Sequence, residues 1–501
     1  MSGQTFTENG APSFASSGDA RVNLFCKLSR DAHENPSFVQ WIDDAWAESP
    51  ADTMKLLFHD RDCRGGKGDR TTFLKAMVRI AERYPETFMV NLPHMPEYGR
   101  YSDWFELVEY LAKQDHVLFD IIVRKVAMLT VKQLKEDMCN MQEGKPVSLL
   151  AKWVPTEGKR LNRKSHVLNY IITLLLDVDF LVRPHHFKEF RKSYISPLRA
   201  YLNVVENYMC SGRFDAIDYS AVPSVAMHRL KNAFARNDTE RFLAWQDALC
   251  NGTTKVNAGQ LYPHNLVSEY LDKPYESPDI VVEEQWKALL KYVAEHGSLA
   301  DSLVLSDVSG SMKGVPMTVS IALGILISQL SCEPFKNSII TFDTHPQFCK
   351  IPESHTTLFD AVHHVRKMPW GGSTDLHAVF KLILDKAVAN GLAPSSMPKR
   401  LYILSDMQFD SAFGDIALSA IDAMYHECGY MRPQIVFWNL RSNTTFDFPA
   451  HYAENDVALV SGFSPAILKV LLQGDMLTPY SVMRQTIDNP RYDRISVSAF
   501  L

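Results

Sequence analysis

Ser302-Leu-Val-Leu-Ser-Asp-Val-Ser-Gly-Ser-Met312 is the stretch on which the fold turns. Leu303, Val304 and Leu305 form a short apolar run that stops at Asp307, with Ser309 and Ser311 at the alternate positions that follow. An apolar run of this length closed by polar turn residues reads as a strand buried on both faces. The Asp-x-Ser-x-Ser turn then gathers one carboxylate and two hydroxyls just beyond the strand's C-terminal end, where open parallel sheets take their ligands. These donors are all hard oxygens, which Mg2+ prefers while retaining several of its waters.

Two later stretches supply matching parts. Trp370-Gly-Gly-Ser-Thr-Asp-Leu376 puts Thr374 on a Gly-rich turn that opens a helical pattern through Leu376, Val379, Phe380 and Ile383. Arg400-Leu-Tyr-Ile-Leu-Ser-Asp-Met407 is a second buried-strand run, ending in Asp406. Asp307, Ser309, Ser311, Thr374 and Asp406 together resemble the metal-ion-dependent adhesion site (MIDAS) of a von Willebrand factor A (vWA) domain. That family completes a DxSxS turn with a Thr from a second loop and an Asp from a third. The resemblance implies a bound Mg2+, with Mn2+ or Ca2+ as alternatives. It implies direct ligation by the two serines and the threonine, with the aspartates acting partly through water. A degenerate vWA fold with an empty site is the alternative reading of the same motif.

From about residue 300 onward, strand and helix patterns alternate. Strands are predicted at 302–307, 338–343, 401–406, 433–440 and 457–460, and helices at about 315–331, 357–367, 376–390, 413–427 and 464–473. Such alternation means an α/β domain with a parallel, doubly wound sheet. The texture before residue 298 is different. Long amphipathic segments such as Phe73 to Tyr84, Leu118 to Leu134 and Pro197 to Met209 are joined by short Gly, Pro and Asp turns. That pattern predicts an all-α, HEAT-like helical array. The expected organisation is a flexible segment at 1–20, a helical domain at 21–298 and a vWA domain at 299–501. The C-terminal domain is expected to pack against both ends of the array, because an open array exposes its apolar terminal faces.

Composition narrows the function classes. The chain has 501 residues, 46% hydrophobic and 22% charged, as expected for a globular protein with ample core. The most apolar window, Val167 to Val182, is interrupted by Asn169, Asp177 and Asp179, so no membrane span is predicted. Met1 to Asp19 lacks the basic-then-apolar pattern of a signal peptide. Eight cysteines occur without a CxxC pair, which disfavours a zinc framework or disulfide scaffold and fits a reducing cytoplasmic setting. No Ser-His-Asp, HExxH or nucleophile-elbow pattern stands out, and the predicted metal has no neighbouring general base, so a non-enzymatic role is expected.

The net charge of −6 argues against global wrapping by nucleic acid but leaves a local basic face open. Arg61-Asp-Cys-Arg-Gly-Gly-Lys-Gly-Asp-Arg70 lacks the spacing of a phosphate-binding P-loop. It reads either as a Gly-rich interhelical turn capped by Asp69 or Thr71, or as a phosphate-contacting loop presenting Arg61, Arg64, Lys67 and Arg70. Between Lys145 and Arg199 there are 11 Lys and Arg against 4 Asp and Glu. Lys159, Arg160, Arg163, Lys164, Arg191 and Lys192 are the candidate RNA contacts there, with ordinary solvated ion pairs as the alternative.

A helical array carrying Lys67-Gly-Asp-Arg-Thr-Thr72 and Ala151-Lys-Trp-Val-Pro155, followed by the Asp307 turn, resembles the TROVE-plus-vWA architecture of the Ro ribonucleoproteins. It is also similar to a family of the same layout found in plants, fungi and large viruses. That similarity rests on Thr7-Glu-Asn-Gly10, Arg61 to Gly68, Ile195-Ser-Pro-Leu-Arg199 and Ile217 to Ser224. The resemblance implies a TROVE-like ring that binds structured and single-stranded RNA. The other reading is a protein-interaction scaffold, in which the metal recruits a partner's carboxylate.

Overall fold

The computed structural model describes residues 4–7, 10, 12–178, 181–272, 277–341, 345–368, 375–409, 418–442, 447–473 and 477–498. The chain forms two compact units. One comprises residues 1–72, 219–233 and 242–493, and the other residues 73–218, 234–241 and 494–501. The units therefore cut across the sequence boundary expected near 298. Helices from both ends of the helical region belong to the unit that holds the sheet.

Before that sheet come two short strands, β1 (Gln4–Phe6) and β2 (Pro12–Phe14), which pair with each other antiparallel. Phe14 also bridges to Phe448, and the Thr7 hydroxyl donates to the Phe409 carbonyl at 2.5 Å. The described residues of the N-terminal segment expected to be flexible are thus tied by strand pairing and a side-chain hydrogen bond, which a scan for apolar periodicity does not detect.

The main sheet has six strands: β3 (Ser302–Ser306), β4 (Ser338–Thr341), β5 (Phe348–Lys350), β6 (Arg400–Ser405), β7 (Gln434–Asn439) and β8 (Val457–Ser461). Their order is β5-β4-β3-β6-β7-β8, parallel throughout except for the β4–β5 pair. The sheet is therefore mixed, where a parallel one was expected. The difference is a three-residue edge strand, too short to carry its own pattern. β3, β4 and β8 are buried at every residue, which is why their sequences read as unbroken apolar runs. The helix Val315–Leu330 packs on β3 and β4, and it is buried continuously from Val319 to Ser328.

Elements far apart in sequence close this unit. The helix Ala20–Lys27 packs on β8, and Pro263–Asp272 packs on Val315–Leu330. The buried Glu283 carboxylate accepts from the N–H groups of Leu358 (2.7 Å) and Phe359 (3.0 Å) and from the Tyr270 hydroxyl (2.8 Å). It thereby satisfies the open donors at the start of the helix Leu358–Val365.

The Arg61–Arg70 loop is part of the same closure. Lys67 is 2% exposed, and its ammonium donates to the carbonyls of Phe25 (2.5 Å) and Leu28 (2.8 Å) and to the Ser461 hydroxyl (2.7 Å). It clasps the first helix to the end of β8. Burial pushes its pKa down to about 8, against the pull of the Asp60 and Asp69 carboxyls. The glycines follow from this packing. A Cβ on Gly66 would lie 2.0 Å from the His59 carbonyl oxygen, and one on Gly68, at φ +72°, would lie 1.8 Å from the Tyr262 hydroxyl. Asp62 accepts from Arg491 Nη2 at 2.8 Å. Burial works against the Asp62 charge, but the Arg491 guanidinium holds the carboxyl below its usual range.

The second unit is helical. Its longest element, Phe119–Gln142, buries Ile122, Val123, Val126, Ala127, Val131 and Leu134 at three- and four-residue spacing. Ser102–Lys113 and Val167–Leu176 pack against it. Among the described residues no strand lies between β2 and β3. No described helix is long and apolar enough to cross a membrane.

The clasp makes a stability prediction. Gly66→Ala meets a backbone carbonyl that cannot rotate away and should cost about 1–3 kcal/mol. Lys67→Met leaves buried acceptors and carboxyls uncompensated and should cost about 3 kcal/mol. Both should lower the urea midpoint of the full chain. A wild-type midpoint in both variants would contradict the clasp.

Candidate metal centre

β3 and β6 are neighbours, with Ser302 opposite Arg400 and Ser306 opposite Leu404. The strand order reverses direction between them, since the chain runs from β3 outward through β4 and then returns to β6 on the other side. Their C-terminal ends therefore open onto the crevice typical of such switch points. Asp307 follows β3 and Asp406 follows β6, and they are 1% and 3% exposed.

Each carboxylate is held by the turn that follows it, and Asp307 also by Ser405 at the end of β6. Asp307 accepts from the Ser309 N–H through Oδ1 and from the Ser405 hydroxyl through Oδ2, both at 2.8 Å. Asp406 Oδ1 accepts from the Gln408 N–H at 3.2 Å. Between them Met407 adopts a left-handed conformation, φ +64°, which is unfavourable for a side chain of that kind and characteristic of functional turns. Burial and, second, the Asp406 charge push the Asp307 carboxyl up to about 6, although the Ser309 and Ser405 hydrogen bonds oppose this.

The hydroxyls complete the arrangement. Ser309 is half-buried, Ser311 is exposed, and their Oγ atoms lie 3.0 Å apart. Two adjacent oxygens of an octahedral Mg2+ site, each about 2.1 Å from the ion, are separated by about 3 Å. The serine pair thus has the spacing of one octahedral edge, beside two buried carboxylates that repel each other. The donor set fits a small hard divalent cation. Thr374 lies outside the described residues. Among the described residues no three His, Cys, Asp or Glu side chains gather as a metal site, and the donors here are chiefly hydroxyls.

Two neighbours were not singled out from the sequence. Ser405 orients Asp307, and its position directly before Asp406 at the end of a buried run was the available signal. Arg441, just beyond β7, donates through Nη1 to the Ser311 carbonyl, and its Nε lies 3.9 Å from Asp31. No local pattern marks Arg441, because both partners are distant in sequence.

Residues 7–122 and 105–299 match the family described as Domain of unknown function (DUF2828), which covers more than half of the chain. The chain belongs to that family. Residues 301–492, which contain the whole sheet and the Asp307 turn, match the family described as Domain of unknown function (DUF7788). An uncharacterized protein of Acanthamoeba polyphaga mimivirus is 29% identical over 515 residues, covering 97% of this chain and 88% of the relative. The two family matches adjoin at residues 299 and 301, where the sequence texture changes, whereas the compact units do not divide there.

The candidate RNA contacts fall in the DUF2828 region, and their placements differ. In the glycine-rich loop, Lys67 and Arg61 face the interior, Arg61 being 3% exposed, while Arg64 and Arg70 are exposed. Lys67 is fully engaged by the clasp and presents no ammonium to a phosphate. Lys159, Arg160, Arg163, Lys164, Arg191 and Lys192 are all exposed. Arg160 is paired bidentately with Glu106, at 2.8 and 2.6 Å. Arg191 Nε makes a 3.4 Å bond to the Phe187 carbonyl. The aromatics of the same stretch divide, Phe187 and Phe190 being buried in the core and Trp153, Tyr170 and Tyr194 only partly covered.

Ser405→Ala should cost about 1 kcal/mol in urea denaturation, the usual worth of one hydrogen bond, and should leave the fold intact. Unchanged stability would mean that the Ser405–Asp307 bond does not orient the carboxylate.

Proposed function

We propose that the C-terminal region is a vWA-type domain with a functional MIDAS, and that the chain is a non-catalytic binding protein acting through it. The observation that carries this reading is the convergence of Asp307, Ser309, Ser311 and Asp406 at the β3–β6 crevice, with the serine hydroxyls one octahedral edge apart. Ser309, Ser311 and Thr374 would hold Mg2+ directly, and Asp307 and Asp406 would act partly through water. The ion supplies an electrophilic coordination position that takes an oxygen donor, best a carboxylate, from a partner. The chain's own residues set the turn. Ser405 fixes one oxygen of Asp307, the Ser309 N–H fixes the other, and Arg441 holds the Ser311 carbonyl.

A second reading is Ro-like RNA binding by the helical region. It is favoured by the exposure of Lys159, Arg163, Lys164, Arg191 and Lys192 on one short stretch. Arg160 contributes only if its pair with Glu106 opens, so the surface offers fewer free phosphate contacts than the sequence count implied.

Titration calorimetry distinguishes the readings. Wild type should bind Mg2+ with one-to-one stoichiometry, and Asp307→Ala should abolish that heat without loss of folded circular dichroism. Absence of divalent binding by wild type would make the site vestigial. For RNA, replacing Arg163 and Lys164 together should reduce the slope of log affinity against log salt by about 1.4, two contacts at about 0.7 each. A slope equal to that of wild type, or no gel shift by wild type at low salt, would remove the RNA reading.

A further inference from the structure

A cleft of about 730 Å3 lies beside the Asp307 turn, within the sheet-containing unit. That volume falls in the range of about 300–1,000 Å3 occupied by small-molecule sites. Its lining has two chemically distinct parts. Arg30, His264 and Arg366 supply cationic or donor groups, and Leu271, Val315 and Met317 supply an apolar wall, with the exposed Asp272 carboxylate at the opposite end of the helix Pro263–Asp272 from His264.

The polar part is built rather than incidental. The Arg30 guanidinium carbon lies 5.1 Å from the ring centroids of both Tyr262 and Phe463, so two aromatic faces hold the side chain. Its Nε is buried and has no hydrogen-bond partner among the described residues. His264 is 5% exposed and stacks on Tyr262, with centroids 5.5 Å apart and planes at 16°. Its Nδ1 also lacks a partner among the described residues. Burial, and then the Arg30 charge, push its pKa down to about 3, so it is a neutral imidazole that can place a hydrogen on Nδ1. Leaving such buried groups unsatisfied costs about 1–3 kcal/mol each, which a bound acceptor would recover.

Two helix N-termini reach the same cleft. His264 and Asn265 are in the first turn of Pro263–Asp272, and Gly314, Val315 and Met317 begin Val315–Leu330. Neither first turn contains an acidic residue, and the Gly314 cap contributes no side-chain hydrogen bond. Pro263 and Pro316 carry no N–H and the Asn265 N–H already donates to the Tyr262 carbonyl at 2.9 Å, so what attracts an anion is chiefly the dipole of each first turn, roughly half a positive charge per terminus. With the two guanidiniums this gives about three positive charges against the one carboxylate of Asp272, a surplus of about two that suits the nearly dianionic phosphate ester.

We infer that this cleft binds a phosphate monoester carried on an apolar or aromatic body. The phosphate sits against Arg30, His264 and the helix starts, with the exposed Arg366 as second guanidinium, and the body covers Leu271, Val315 and Met317. None of these residues is a proposed metal ligand, so the inference stands apart from the metal reading.

Calorimetry on the full-length protein in EDTA tests it, with 1-naphthyl phosphate, 1-naphthoate and 1-naphthol as probes. The phosphate should bind one-to-one and at least tenfold more tightly than the carboxylate, and the naphthol should give no saturable heat. Arg366→Ala, at an exposed site that should not disturb folding, should weaken the phosphate by about tenfold, the worth of one charge-assisted bond. Arg30→Lys keeps the charge but loses the planar fork and should also weaken it, with the melting temperature checked in parallel. No saturable binding at millimolar 1-naphthyl phosphate, equal binding of 1-naphthoate, wild-type affinity in Arg366→Ala, or binding that appears only with Mg2+ would each overturn the inference.

Discussion

The pairing of β3 with β6 is the constraint on which the candidate site depends. Five successive residue pairs, Ser302 with Arg400 through Ser306 with Leu404, run parallel in the middle of the sheet. The Asp307 N–H extends the ladder by donating to the Leu404 carbonyl at 2.9 Å. Because the strands are buried on both faces, their polar residues are displaced to the ends, and parallel pairing puts those ends on one edge. Two buried carboxylates that would otherwise avoid each other are thereby fixed side by side. A shift of one residue in register would move every β3 side chain to the opposite buried face, so the core that covers both faces also fixes the site.

Closing that core takes contributions from elsewhere in the chain. The sheet ends at β8, and an exposed edge strand is a hazard that proteins cover. Here the helix Ala20–Lys27 packs on β8, with Cys26 Sγ 3.5 Å from the Leu459 carbonyl, and the Lys67 ammonium fastens the two. Elsewhere in the same unit, Glu283 ties Ile280–Ala294 to the start of Leu358–Val365. The helical region therefore gives both its ends to the α/β unit, and its middle condenses separately around Phe119–Gln142.

How much of this was legible depends on range. Buried parallel strands announce themselves locally, since Leu303-Val-Leu and Leu401-Tyr-Ile-Leu are apolar on both faces and stop at an aspartate. The edge strand Phe348–Lys350 carries no such signal, because its three residues are only partly covered. The basic loop was ambiguous for a different reason. Lys67 finds its partners at Phe25, Leu28 and Ser461, the last of them 394 positions away, and no spacing rule connects them. Arg61, Arg64, Lys67 and Arg70 look alike in sequence, yet two point into the core and two out. The hydroxyls of Ser309 and Ser311 were legible as donors, while the contacts of Ser405 with the Asp307 carboxylate and of Arg441 with the Ser311 carbonyl come from residues distant in sequence.

Cation capture by the serine pair is the central claim, and crystals of the full chain soaked in Mn2+ test it most directly. The account predicts an anomalous peak at about 2.2 Å from both Ser309 Oγ and Ser311 Oγ, with Asp307 and Asp406 in its immediate surroundings. A soaked crystal with no anomalous peak at that crevice, and with the two serine hydroxyls still hydrogen-bonded to each other, would contradict it.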